Sequence, residues 1–134
     1  MSTRPGMPRE HAEAIALEAL DQWARAFAER DPDAMARLHS ERALFFGSRP
    51  QLYAGRSGVR SYFASLRPRS SNSVRFSDVA AEALADTVIQ LAATAWFTVD
   101  HRVPIPMRVS QTLVCEDGQW VVAQHHASPP PAAT

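Results

Sequence analysis

The chain has 134 residues and is 46% apolar, which is enough for one domain with its own core and argues against global disorder. Lys and Arg together number 14, as do Asp and Glu, so the formal net charge is zero and we expect neither nucleic acid nor an anionic membrane as a partner. The single cysteine, Cys115, excludes an intrachain disulfide and a thiolate metal cluster.

The first residues contain no apolar signal-peptide region, and no run approaches the roughly 18 apolar residues that a membrane helix needs. We therefore expect a cytoplasmic protein.

The N-terminal third predicts an arm and two helices. Residues 1–9 hold two prolines and a glycine, which predicts a flexible arm. Glu10 to Arg30 carries apolar residues at 4, 3, 4 spacing and predicts the longest helix. Asp31 suits an N-cap and Pro32 the first position of a second, short helix that ends near His39.

The remainder predicts a short hairpin, one more helix and a run of long strands. Residues 43–47 and 51–54 form the hairpin, and Ser57 is the expected N-cap of the third helix. The long strands follow, with a tight turn expected at Ala85-Asp86. These strands are Val74 to Leu84, Thr87 to His101, Val103 to Glu116 and Gln119 to Ala127. Residues 10–128 thus form one domain, and residues 129–134 a flexible Pro-rich tail.

Segregation of the helices from the strands predicts an α+β fold. A long antiparallel meander with one apolar face must curl and cover that face, and three helices precede it. We therefore expect a half-open cone in which a strongly curved antiparallel sheet and the three helices enclose a cavity.

The last two strands contain the clearest local signals. Asp117-Gly118 lies between two apolar runs and predicts a type I′ turn, which requires positive φ at both central residues. His125 and His126 are adjacent on the last strand, so they point to opposite faces and only one can face the pocket. Strict alternation places His126 on one face with Trp120, Val122 and Gln124, unless a bulge exchanges the two histidines.

The histidine that faces the pocket is a candidate general acid or base, and its other interpretation is a hydrogen-bonded structural histidine. Arg108 would bind a carboxylate or polarise a carbonyl if it points inward, and would be a solvated arginine if it points outward. Tyr53 and Trp96 are candidates for the pocket mouth, although aromatic residues at such spacing are more often core residues.

Metal and cofactor sites are not expected. His11, His39 and His101 include no helical i, i+4 pair, and the five glycines form no phosphate-binding loop. Paired buried carboxylates are also missing from the predicted strands, because Asp86 and Asp117 fall in predicted turns.

Three segments carry a resemblance to a known superfamily. They are W-x-x-A-F-A-E-R-D at 23–31, L-Y-A-G-R-S-G-V-R-S-Y-F at 52–63 and D-G-Q-W-V-V-A-Q-H-H-A-S at 117–128. With the order of elements, they resemble the NTF2-like superfamily, which includes SnoaL-like polyketide cyclases, ketosteroid isomerase, scytalone dehydratase and the association domain of calcium/calmodulin-dependent kinase II. The closing segment is most similar to that association domain and its free-standing bacterial relatives, and matches at Asp117, Gly118, Trp120, His126 and Ser128.

The resemblance implies the cone fold but leaves three functions open. The first is binding of a small polar or carboxylate-bearing molecule by Arg108, Tyr53, Trp96 and one histidine of the closing pair. The second is a SnoaL-like cyclase, isomerase or dehydratase that uses the pocket histidine as general acid or base; the lack of paired carboxylates disfavours a ketosteroid-isomerase mechanism. The third is an oligomerisation module. We also expect a homodimer through the outer sheet face.

Overall fold

A computed structural model describes residues 6–131, and every structural statement below concerns that part of the chain. Three helices and six strands follow the predicted order. They are α1 (Arg9–Glu29), α2 (Pro32–Arg37), β1 (His39–Phe46), β2 (Tyr53–Ala54), α3 (Gly55–Ala64), β3 (Asn72–Ala85), β4 (Val88–Val99), β5 (Ile105–Glu116) and β6 (Gln119–Ser128).

The strands form one six-stranded sheet in the order β2-β1-β6-β5-β4-β3. Neighbouring strands are antiparallel except β1 and β6, which are parallel. The helices pack on one face of this curved sheet, so the predicted α+β cone is confirmed. None of the helices between residues 6 and 131 is long and apolar enough to cross a membrane.

The core has two adjoining parts. In the first, alanines of α1 such as Ala12 and Ala16 are fully buried against the sheet, where their small side chains let the helix approach Ile89 and Leu113. The second part is aromatic and lies between the C-terminal half of α1, helix α3 and strand β1. Its buried members are Trp23, Ala26, Met35, Phe45, Val59 and Tyr62.

Local signals decided most element ends. The Asp31 carboxylate accepts hydrogen bonds from the backbone N–H groups of Asp33 (3.0 Å) and Ala34 (3.1 Å), and Pro32 is the first residue of α2, as predicted. Asp117 and Gly118 have φ of 52° and 78°, the two positive values of the predicted turn.

The structure corrects several predicted boundaries. Strand β1 begins at His39, where the second helix was expected to end, and not at residue 43, because His39 already pairs with Val122 of β6. Helix α3 begins at Gly55, without a side-chain cap, so Ser57 lies inside its first turn. The reason is that Gly55, with φ of 72°, turns the chain directly from β2 into the helix. The β3–β4 turn is formed by Asp86 and Thr87, one residue later than predicted, because Ala85 still pairs with Val88.

The predicted arm and tail lie partly outside the described residues, at 1–5 and 132–134. Of the rest of the arm, Met7 donates a backbone hydrogen bond to the Asp86 carboxylate (3.1 Å), and Arg9 already belongs to α1.

Candidate functional site

A β-bulge in β6 decides which histidine faces the helices. Thr112 of β5 pairs with Gln124, but Leu113 pairs with Val122, so β6 contains one extra residue at this point. The bulge brings Val122 and His125 to the same inner face. The strict alternation that groups Val122 with His126 is therefore wrong, and His125 is the inward histidine, with 3% of its surface exposed.

The imidazole of His125 is held between two aromatic rings. Trp23 stacks on one side at 5.3 Å and Phe45 on the other at 4.5 Å, each with an interplanar angle of 9°. Gln111, also buried, places its Nε2 at 2.9 Å from His125 Nδ1. With the Gln111 amide in this orientation, Nε2 of Gln111 donates to Nδ1, the ring proton of a neutral His125 is on its Nε2, and Gln111 Oε1 has no partner between residues 6 and 131.

Burial is the main cause of an altered pKa at His125. It lowers the pKa to about 3, and the charges of His39 and His126 lower it further by smaller amounts. His125 is consequently neutral at pH 7, with Nε2 as a hydrogen-bond donor.

His125 lines an inner cavity of about 280 Å³ between the aromatic part of the core and the sheet. Its walls are mostly aromatic and aliphatic, and one end opens near Arg67, Arg69 and Ile105. The aromatic residues of the wall are Trp23, Phe27, Phe45, Tyr62, Phe63 and Phe97.

Several polar groups interrupt this apolar wall. The hydroxyl of Tyr62 accepts a hydrogen bond from the backbone N–H of Ser48 (2.8 Å) and lies 2.8 Å from the Ser48 hydroxyl. Trp23 Nε1 and Asn72 Oδ1 are buried and have no hydrogen-bond partner within residues 6–131. Both atoms are fully enclosed by protein, so neither faces the open space of the cavity. His125 Nε2 also has no hydrogen-bond partner in this part of the chain but is not enclosed, so it is the polar atom that a bound molecule or water would contact.

Arg108 and His126 lie on the other side of the sheet. Arg108 is exposed and pairs in register with Thr94 and Ser128, while its neighbour Val109 is buried. The expectation that Arg108 lines the cone cavity is therefore wrong, because Val109 occupies the inward position. Arg108 and His126 instead share an outer groove of about 500 Å³ with Asp78.

The two aromatic candidates also lie outside the inner cavity. Trp96 is on the outer face, where its Nε1 donates to the Ser77 hydroxyl (2.8 Å) and the Arg75 guanidinium lies 5.0 Å from its ring centre. Tyr53 is half-buried and packs edge-on against Tyr62 at 5.2 Å, behind the cavity wall. Of the five predicted site residues, His125 alone lines the inner cavity.

Comparison with known proteins identifies the family. The SnoaL-like domain profile matches residues 16–133, which is most of the chain. The chain belongs to the SnoaL-like domain family. No curated protein matches it.

Solved structures share the fold of this SnoaL-like domain. A candidate calcium/calmodulin-dependent protein kinase II association domain from Xanthomonas campestris is similar with TM-score 0.81 and 20% identity, covering 98% of this chain and 95% of its own. Nuclear transport factor 2 from Cryptosporidium parvum has TM-score 0.78 and 11% identity over 96% and 98% of the two chains. A candidate aromatic ring hydroxylase from Novosphingobium aromaticivorans has TM-score 0.82 and 15% identity over 94% of each. At these identities the likeness shows the shared fold.

Sequence reasoning missed the partners of His125 in this SnoaL-like domain. Gln111 could have been identified from the sequence as a buried polar residue, because it alternates with Val109 and Leu113 on the apolar face of β5. Trp23 and Phe45 were predicted as apolar residues of a helix and a strand. Nothing local indicates that their rings meet on either side of one imidazole.

Proposed function

We propose that this SnoaL-like domain binds a small organic molecule whose apolar ring occupies the inner cavity. The observation that carries the proposal is the aromatic wall around His125, whose ring lines the cavity with no hydrogen-bond partner on Nε2 between residues 6 and 131. A volume of about 280 Å³ is at the lower end of the range for small-molecule sites, which favours a ligand of one or two rings.

A hydrogen-bond donor in the cavity wall would recognise a polar group of the ligand. A neutral His125 offers its Nε2–H, so a carbonyl or hydroxyl oxygen on the ligand would accept a hydrogen bond from it. The aromatic rings around this group exclude water and strengthen such a hydrogen bond.

Catalysis is the second candidate, and His125 is again the residue that would perform it. A pKa of about 3 makes His125 a weak base at pH 7, and no Asp or Glu of the described chain lines the inner cavity. A neutral imidazole still stabilises a developing enolate oxygen by donating a hydrogen bond. Of the two candidates, binding has the stronger geometric support.

Blocking the cavity tests the proposal. Ala127 lines it, so Ala127→Phe would fill it, whereas Ala28→Phe places the same side chain on the exposed side of α1. With 2-naphthamide as probe, we expect tryptophan fluorescence quenching in the wild type and in Ala28→Phe, and at least tenfold weaker binding in Ala127→Phe. Equal binding by Ala127→Phe, with its fold verified by circular dichroism, would contradict the proposal.

The outer groove is the basis of a second proposal, which is self-association. Asp78 and Arg108 carry opposite charges within the same groove. A second copy related by a two-fold axis would set the Asp78 of each copy against the Arg108 of the other, as self-complementary interfaces do. We therefore propose a homodimer through this outer face, which leaves the inner cavity of each copy open.

A further inference from the structure

A second, smaller cavity adjoins the inner one and extends the candidate site. It measures about 230 Å³ and lies beneath the loop that follows α3, next to α1 and α2. The two cavities share five lining residues, namely Phe27, Phe63, Leu66, Arg67 and Asn72. The two cavities are therefore adjacent, and we call them the inner and the smaller lobe, with Arg67 and Asn72 at the junction between them.

The junction is basic. Arg30, Arg67 and Arg69 line one or both lobes. Arg30 donates to the backbone carbonyl of Arg69, and Arg69 pairs with Asp100 at 3.0 Å. Arg67 is different, because between residues 6 and 131 it has neither an ion-pair nor a hydrogen-bond partner.

The nearby carboxylates are already engaged. Asp100 accepts hydrogen bonds from Arg69 and from the backbone and hydroxyl of Ser70, at 2.7 to 3.0 Å. Asp31, in the smaller lobe, accepts the two backbone hydrogen bonds of the α2 cap. Arg67 is exposed at the mouth of the cavity, and its guanidinium has no competing ion pair between residues 6 and 131.

We infer that the ligand is an aromatic or alicyclic carboxylate whose ring enters the inner lobe while its anionic group binds Arg67. This inference rests on the proposed function, since it needs the inner lobe to hold the ring. A guanidinium matches a carboxylate in a bidentate, charge-assisted pair. The Asn72 carboxamide lines the same junction, and its Nδ2, which has no hydrogen-bond partner between residues 6 and 131, is a second donor there.

A matched pair of ligands tests the inference. 2-Naphthoate and 2-naphthamide share the ring and differ in charge, and calorimetric titration gives the Kd of each. We expect the wild type to bind the naphthoate at least tenfold more tightly, with a preference that shrinks as salt is added. Arg67→Gln should bind both ligands equally, and Arg42→Gln, at an exposed arginine that lines neither lobe, should keep the wild-type preference.

Each of the remaining outcomes would overturn either the inference or the proposed function. Equal affinities in the wild type, or a preference that survives in Arg67→Gln, would overturn the carboxylate assignment and leave the proposed function standing. A preference that is lost in Arg42→Gln as well would show that it reflects the overall charge of the protein and would overturn the inference. Failure of the wild type to bind either ligand would overturn the proposed function itself.

Discussion

Two buried histidines should make this domain less stable in mildly acidic solution. His39 is 0% exposed and His125 is 3% exposed. Burial lowers the pKa of His39 from 6.5 to about 4, against a smaller opposing effect of its hydrogen bond to the Met35 carbonyl. Burial likewise lowers the pKa of His125 from 6.5 to about 3. At a pH between these folded-state values and 6.5, the two imidazoles bind protons in the unfolded chain but stay neutral in the folded chain.

The sign and size of the effect follow from this difference. Stability from keeping the two imidazoles neutral is fully present above pH 6.5 and is lost as the pH falls towards 4 and 3. Each histidine contributes about 1.4 kcal/mol per pH unit, so at pH 5 each costs about 2 kcal/mol and the pair about 4 kcal/mol. This loss of stability at pH 5 depends only on the pKa of histidine in the unfolded chain, as long as the pKa of each histidine in the folded chain stays below 5. It is a large part of the 5–15 kcal/mol typical of a domain.

Urea unfolding at pH 8 and pH 5 measures this loss. We expect the free energy of unfolding to fall by about 4 kcal/mol in the wild type and by about 2 kcal/mol in His39→Gln or His125→Gln. His126→Gln is the matched control, because His126 is exposed, and it should keep the wild-type difference. A wild-type difference below about 1 kcal/mol, or a His126→Gln variant that behaves like His125→Gln, would refute the reasoning.

Two further predictions concern the cavity wall and the outer face. A Cβ on Gly47 would lie 2.4 Å from the Tyr62 ring and hydroxyl. Urea titrations should therefore show that Gly47→Ala lowers the free energy of unfolding by about 1–3 kcal/mol. An unchanged value would show that Tyr62 does not pack there. Ala92 lies in the outer groove, so Ala92→Arg should convert a dimer of the 14.8 kDa chain into a monomer in light scattering, and a monomeric wild type would contradict the proposed interface.

Much of the fold could be predicted because its signals are local. The apolar stripe of α1, the Asp31-Pro32 start of α2 and the Asp117-Gly118 turn each act within a few residues. The order of helices before long strands then leaves few ways to cover the sheet, and the resemblance to the NTF2-like superfamily agreed with it.

The site was harder to predict because it depends on register. No residue type in β6 signals the bulge between Val122 and Gln124, which arises only when this strand pairs with β5. That single extra residue sets which neighbours share a face with His125. Similarly, the polar alternation of Arg108, Ser110 and Thr112 fits a wet cavity wall or an exposed surface equally well, and only the assembled sheet shows that it faces outward.

The most direct test of the central claim is where a ring binds. Met107 lines the inner cavity and Ala92 lines the outer groove on the opposite face of the sheet. In NMR spectra of the protein with 2-naphthamide, we predict nuclear Overhauser effects from the ring protons to the Met107 methyl group and none to the Ala92 methyl group. Contacts to Ala92 without contacts to Met107 would contradict the account.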